Sequence, residues 1–186
     1  MNLISKPKYL IDANVFIQAK NFHYRFEFCQ GFWDWIIQAH QADIVFSIDK
    51  VRAELEKGKN DDPVRVWINT LPNSFFQPDI KDHAVIASYS QIMQWNSSNN
   101  HYLPQAKQEF ARSDVADAFL IAVAKTHGYT IVTYEKSNPY TKRRVLIPDA
   151  AKVFDVKSTM IYDLLIVNDT ILYTRTDSNI LDINNI

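Results

Sequence analysis

Two hydrophobic rhythms alternate along the chain. Short apolar runs, the mark of strands buried on both faces, occur at Tyr9 to Asp12, Asp43 to Ser47, Thr130 to Thr133 and Val145 to Ile147, with Ser74 to Gln77 as a further candidate. Helical spacing marks Asn14 to Lys20, Phe32 to His40, Lys50 to Lys57, Val64 to Thr70, Lys81 to Trp95, Pro104 to Ala111 and Val115 to His127. In the second of these, Trp33, Ile36, Ile37 and His40 share one face and read as core. Pro148 stands where a proline opens a helix. Strands alternating with helices predict one α/β domain. It has a central, mainly parallel sheet of about four or five strands with helices on both faces. The domain is expected to span residues 1–167. Asn168 to Ile186 alternates polar and apolar residues and is expected to be a hairpin or a loosely held tail.

Composition narrows the chemistry. The 186 residues suit a single domain with a real core. Only three glycines occur, and neither GxGxxG nor GxxxxGK[ST] is present, so nucleotide binding through a glycine-rich loop is excluded. One cysteine, Cys29, precludes an intramolecular disulfide and suits a reducing, cytoplasmic setting. Met1 to Lys8 lacks the apolar stretch of a signal peptide, and no run is long enough to span a bilayer, so no membrane role is expected. The formal net charge of -1 argues against a purely electrostatic nucleic-acid binder. It argues less against a nuclease, whose acidic site cancels part of its own basic surface.

The informative residues are acids in places where acids are costly. Asp12 and Glu135 each close an apolar strand pattern, at the edge where parallel sheets bind ligands. Read singly, Asp12 is equally a helix N-cap and Glu135 a solvated loop acid. On the Lys50 helix, Glu54 shares a stripe with Val51 and Leu55, whereas Glu56 falls beside Arg52 and Lys59 and reads as an ordinary surface residue. A buried carboxylate needs a partner such as a cation; the alternative is that Glu54 reaches water from the edge of its stripe. Asp117 lies on the wheel between Leu120 and Ile121, within a helix that is apolar nearly all round. Asp114, one turn earlier, reads most simply as the N-cap of that helix. Acids without a matching His or Cys cluster suit Mg²⁺ or Mn²⁺ rather than zinc, and the five histidines are scattered.

These residues carry a resemblance. The phrase Ile11-Asp12-Ala13-Asn14-Val15, the pair Glu54-Leu55, the phrase Ala116-Asp117-Ala118-Phe119-Leu120-Ile121-Ala122 and the phrase Ile131-Val132-Thr133-Tyr134-Glu135 resemble, in that order, the PIN domain. The resemblance runs from about Tyr9 to Phe154. The phrase Gly31-Phe32-Trp33-Asp34-Trp35, the Thr-x-Glu ending at Glu135 and the pair Ile147-Pro148 look closer to a bacterial PIN-like subfamily counted among toxin components. The resemblance implies a Rossmann-like sheet of order 3-2-1-4-5, with Asp12 and Glu135 on adjacent strands. It also implies Mg²⁺- or Mn²⁺-dependent endoribonuclease activity, homodimers and a protein antitoxin. Two departures stand out: Glu135 replaces the more usual Asp, and either Asp114 or Asp117 can fill the third acidic position, with the surrounding phrase favouring Asp117.

On that reading Asp12, Asp117 and Glu54 hold one cation, with Asp114 as an alternative ligand. Glu135 holds an outer position or a second ion. Asn14 and Thr133 orient water or phosphate. Lys136, Lys142, Arg143 and Arg144 contact the RNA backbone, or form only a solvated loop. Aromatics in Phe22-His23-Tyr24-Arg25-Phe26 stack bases, or pack in the core or a dimer contact. The rivals are a catalytically silent PIN-like scaffold for RNA or protein and another Mg-dependent phosphate hydrolase. A hydrolase of the haloacid dehalogenase type wants Asp-x-Asp, and here Asn14 stands at the third position.

Overall fold

The computed structural model describes residues 7–168 and residue 170. The expected hairpin or tail therefore lies almost wholly outside the described residues. The strands are β1 (Tyr9–Ile11), β2 (Val45–Ile48), β3 (Phe76–Gln77), β4 (Thr130–Val132) and β5 (Ser158–Thr159). The helices are α1 (Ala13–Gln18), α2 (Gln30–Gln41), α3 (Asp49–Leu55), α4 (Pro63–Ile68), α5 (His83–Ser98), α6 (Pro104–Phe110), α7 (Asp117–His127), α8 (Ile147–Val153) and α9 (Ile161–Val167). None is long and apolar enough to cross a membrane, among the described residues.

All strand pairings are parallel, in the order β3-β2-β1-β4-β5. This is the order that the resemblance implies. The central position of β1 follows from its composition: Leu10 and Ile11 are fully buried, as are Val45 and Ile48 on β2 and Ile131 and Val132 on β4. Such strands need helices over both faces. The chain runs outward from β1 through β2 to β3, then returns to β1's other side for β4 and β5. That reversal opens a crevice at the carboxyl ends of β1 and β4, the usual ligand site of an open parallel sheet. Ladder bonding continues past the strands there: Asp12 N–H donates to Val132 O at 3.0 Å, and Thr133 N–H donates to Thr159 O at 3.0 Å. The Ser47 hydroxyl donates to Ile11 O at 2.7 Å and pins the same edge from the other neighbour.

The core is rich in aromatic rings. Tyr24 stacks on Phe32 with centroids 4.2 Å apart, and Phe26 stacks on Trp33 at 3.9 Å. Of the face read as core, Trp33, Ile36 and His40 are buried and Ile37 is partly buried against it. α7 is buried on nearly every side and packs on α5, where Tyr89 stacks on Phe119 at 4.2 Å. It stops at Gly128, whose φ of 72° is a left-handed helix end that glycine adopts without strain.

Two sequence expectations are corrected. Val145 to Ile147 is not a strand. Ile147 and Pro148 open α8, and the fifth strand is Ser158–Thr159. Val145 and Ile147 are apolar because they pack inward, at 2% and 0% exposure, not because they pair in the sheet. Asp114 is not the cap of α7. That helix begins at Asp117, with Ala116 in the N-cap position, and Asp114 lies in the preceding turn, where Arg112 and Lys57 bind it.

Candidate active site

Each acid of the crevice is delivered by a different segment. Asp12 follows β1 directly. It stands at the N-cap of α1 but makes no side-chain capping bond. Its Oδ2 accepts instead from the Thr133 hydroxyl at 2.9 Å. Thr133 follows β4, and its hydroxyl oxygen accepts from Asn14 Nδ2 at 2.9 Å and from the Glu135 N–H at 3.1 Å. Asn14 Oδ1 in turn accepts from the Tyr134 N–H at 3.1 Å. A hydroxyl has one donor and two acceptor sites, so Thr133 is fully used inside the protein. It fixes the orientation of Asp12 and ties the end of β1 to the end of β4.

Glu54 reaches the crevice from α3. The start of that helix is held by a buried carboxylate, Asp79, which accepts from the Lys50 N–H at 2.7 Å. Val51 and Leu55 bury the inward stripe. Glu54 is half-buried, and its Oε1 accepts from the Ala116 N–H at 2.8 Å. It thereby serves an N-terminal donor of α7 from another helix. Glu56 pairs with Arg52 on the outer face at 2.9 Å. Asp117 is the first residue of α7 and is half-buried. Glu135 lies just past β4. Its Oε2 accepts from the Ile147 N–H at 2.7 Å, and its Oε1 meets Arg144 Nη2 at 2.5 Å.

Asp12, Asn14, Glu54, Asp117, Glu135 and Arg144 line one cavity of about 220 Å³, together with the apolar residues Ile17, Ala106, Phe110, Val115 and Val145. The acids lie in one another's field. Burial pushes the Asp12 carboxyl up to about 7; the Thr133 hydrogen bond opposes this, and the charges of Glu135 and Glu54 add to it. Asp117 is raised well above the carboxylate range, first by burial and then by Asp12, Glu135 and Glu54, with Arg144 opposing. Burial also raises Glu54, against the Ala116 N–H and Lys57. Asp114 behaves in the opposite way. Hydrogen bonds from Arg112 and then Lys57 hold it at about 2, and it is absent from the cavity lining.

This donor set is all oxygen and its charges repel, which suits a hard divalent cation in kind. The acids are not gathered tightly. Among the described residues no group of three His, Cys, Asp or Glu side chains is placed to hold a metal ion. Glu135 has both oxygens engaged, one of them by Arg144.

The basic residues separate. Arg144, itself exposed, joins the cavity lining, whereas Lys136, Lys142 and Arg143 are exposed and outside it. Phe22 is 69% exposed, while Tyr24 and Phe26 pack on the core. Three features were not read from the sequence. Glu109, exposed on α6, joins the cavity lining. Asp79 anchors α3 from a remote loop. Arg144 is bound to Glu135. Nothing local distinguishes Glu109 or Asp79. For Arg144 the basic run Lys142-Arg143-Arg144 gave no sign of which residue meets Glu135.

Fold and site together define a parallel α/β domain with an acid-lined cleft at the carboxyl edge of its sheet, across the junction of β1 and β4. The chain belongs to the family described as a domain of unknown function, DUF4411, whose model matches residues 9–170. A solved structure described as "Crystal Structure of FitAcB from Neisseria gonorrhoeae" shares 20% identity over 81% of this chain and 95% of that chain, with a TM-score of 0.44. At that TM-score the likeness is too distant to fix a role. No curated protein matches the sequence.

Proposed function

We propose that the chain is a PIN-like endoribonuclease that hydrolyses RNA phosphodiester bonds with Mg²⁺ or Mn²⁺. The observation that carries this reading is the meeting of Asp12, Glu54, Asp117 and Glu135, from four separate segments, around one cavity at the sheet's switch point. Isolated surface acids have no reason to converge there, and burial raises three of these, Asp12, Asp117 and Glu54, with mutual repulsion adding at Asp12 and Asp117.

Asp12 and Asp117, with Glu54, would hold the cation, and Glu135 would serve from the neighbouring strand. When bound, such a cation supplies an acidified water and neutralises charge on the phosphate. The chain's own residues do the rest. Thr133 and Asn14 hold Asp12 in a single orientation. Ile17, Phe110, Val115 and Val145 limit bulk water on the apolar part of the lining. Lys136, Lys142 and Arg143 stand outside the cavity where an RNA backbone would pass. A protein antitoxin, a homodimer and a cytoplasmic setting come with the toxin form of this reading.

One observation favours a second reading. The absence of a preformed three-acid cluster among the described residues fits a catalytically silent scaffold that binds RNA or protein. A nuclease assay on rigorously purified protein with Mn²⁺, with chelator, and with the Asp12→Asn variant separates the two. Cleavage that needs Mn²⁺ and Asp12 supports the nuclease. RNA binding without metal-dependent turnover supports the scaffold.

A further inference from the structure

We propose that Arg144 is a built-in, exchangeable cation of the cleft: in the metal-free protein its guanidinium stands in for a divalent ion, and ion binding drives it off Glu135 toward the phosphate of the substrate. This rests on the nuclease reading above. It goes beyond that reading by giving one basic residue two positions.

Three observations support it. First, the Arg144 guanidinium lies 2.5 Å from Glu135 Oε1, on a carboxylate side chain that is only 8% exposed. The remaining oxygen of Glu135 is engaged by the Ile147 N–H. With Arg144 in place Glu135 has no unengaged oxygen, so an added cation must compete for it.

Second, Arg144 can leave at low cost. Its own side chain is 58% exposed. An ion pair with one partner in water is worth little, and swinging outward restores hydration to the guanidinium. Glu135 needs a replacement charge because it is the buried partner. A divalent ion provides one.

Third, the backbone beneath Arg144 is anchored. The Leu103 N–H donates to Lys142 O at 2.9 Å, a His101 ring nitrogen lies 2.9 Å from Thr141 O, and the Asn138 N–H donates to Asp149 Oδ2 at 2.9 Å. Exchange is therefore a rotation of one side chain, without loop movement. Outward, the guanidinium joins exposed Lys142 and Arg143, and its flat fork suits a phosphate.

The test is calorimetric titration of the chelator-treated full chain with Mn²⁺, comparing wild type, Arg144→Gln and Arg144→Lys, with Asp117→Asn as the site control. Arg144→Gln is expected to bind Mn²⁺ about tenfold more tightly than wild type, a typical size for coupled binding. Arg144→Lys keeps the charge and is expected to stay within about threefold of wild type. In cleavage assays Arg144→Gln is expected to raise KM for RNA more than it lowers kcat. Equal or weaker Mn²⁺ binding by Arg144→Gln, or a lysine variant as tight as the glutamine one, overturns the exchange. If wild type binds Mn²⁺, Asp117→Asn abolishes it and Arg144→Gln changes nothing, the exchange fails while the nuclease reading stands. If neither wild type nor Arg144→Gln binds Mn²⁺, both fail.

Discussion

Asp12 is a residue on which pH acts directly. Its carboxyl is held at about 7 when folded, against an ordinary value of 3.8. A raised folded value means that the folded state takes up a proton more readily than the unfolded chain. The stabilising effect of that proton is fully present below about 4 and is lost as pH rises through about 7. The metal-free wild type should therefore lose stability across that window. Asp12→Asn keeps an oxygen to accept from Thr133 and has no charge to bury. In chelator at pH 8 it should melt above wild type, by a margin on the order of a few kcal/mol that closes at pH 4. Thermal denaturation at both pH values checks this; an Asn variant that is no more stable at pH 8 would show Asp12 to be better solvated than its burial implies. Thr133 gives a complementary prediction. Thr133→Val leaves Asn14 Nδ2 and the Glu135 N–H without their acceptor and should cost about 1–3 kcal/mol in urea unfolding. Thr133→Ser restores the hydroxyl and should recover most of the loss.

At the level of elements, Glu54 of α3 and Glu56 at its C-cap separate the site from the surface. Glu54→Gln keeps an acceptor for the Ala116 N–H, so the fold should hold while Mn²⁺ binding and cleavage fall by more than about tenfold. Glu56→Gln loses only the exposed pair with Arg52 and should leave both unchanged. Parallel titrations and cleavage assays decide it, and equal effects would remove Glu54 from the site. The wheel made this distinction legible, because Val51 and Leu55 fixed the inward stripe. Asp117 was legible for the same reason, lying among Leu120 and Ile121. Asp114 misled because a carboxylate before an apolar helix usually caps it, and here a long-range carboxylate, Glu54, serves that helix end. Val145 to Ile147 misled because inward packing beside a helix start gives the same apolar run as a strand. β5 was illegible: Ser158 and Thr159 form a two-residue edge strand at the margin of the sheet, with no apolar alternation to announce it.

For the whole molecule, cation binding should be visible as stability. A ligand at a hundred times its Kd adds about 2.7 kcal/mol to a protein that binds it only when folded. Saturating Mn²⁺ should raise the melting temperature of wild type and leave Asp117→Asn unmoved. Because Asp12 and Asp117 must shed protons to bind, the shift should grow between pH 6 and pH 8. A shift that is flat across this range, measured by differential scanning fluorimetry, would place the ion elsewhere.

The order of the strands also sets a timetable. β1 sits at the centre of the sheet, yet its neighbour β4 begins at Thr130, and Glu135 finds its backbone donor only at Ile147. Pairings between such distant segments form late, since the intervening chain must first be brought together. A nascent chain emerging from the ribosome holds Asp12 and Glu54 long before it holds Asp117 and Glu135. The four acids of the cleft are thus brought together only after Ile147 has emerged.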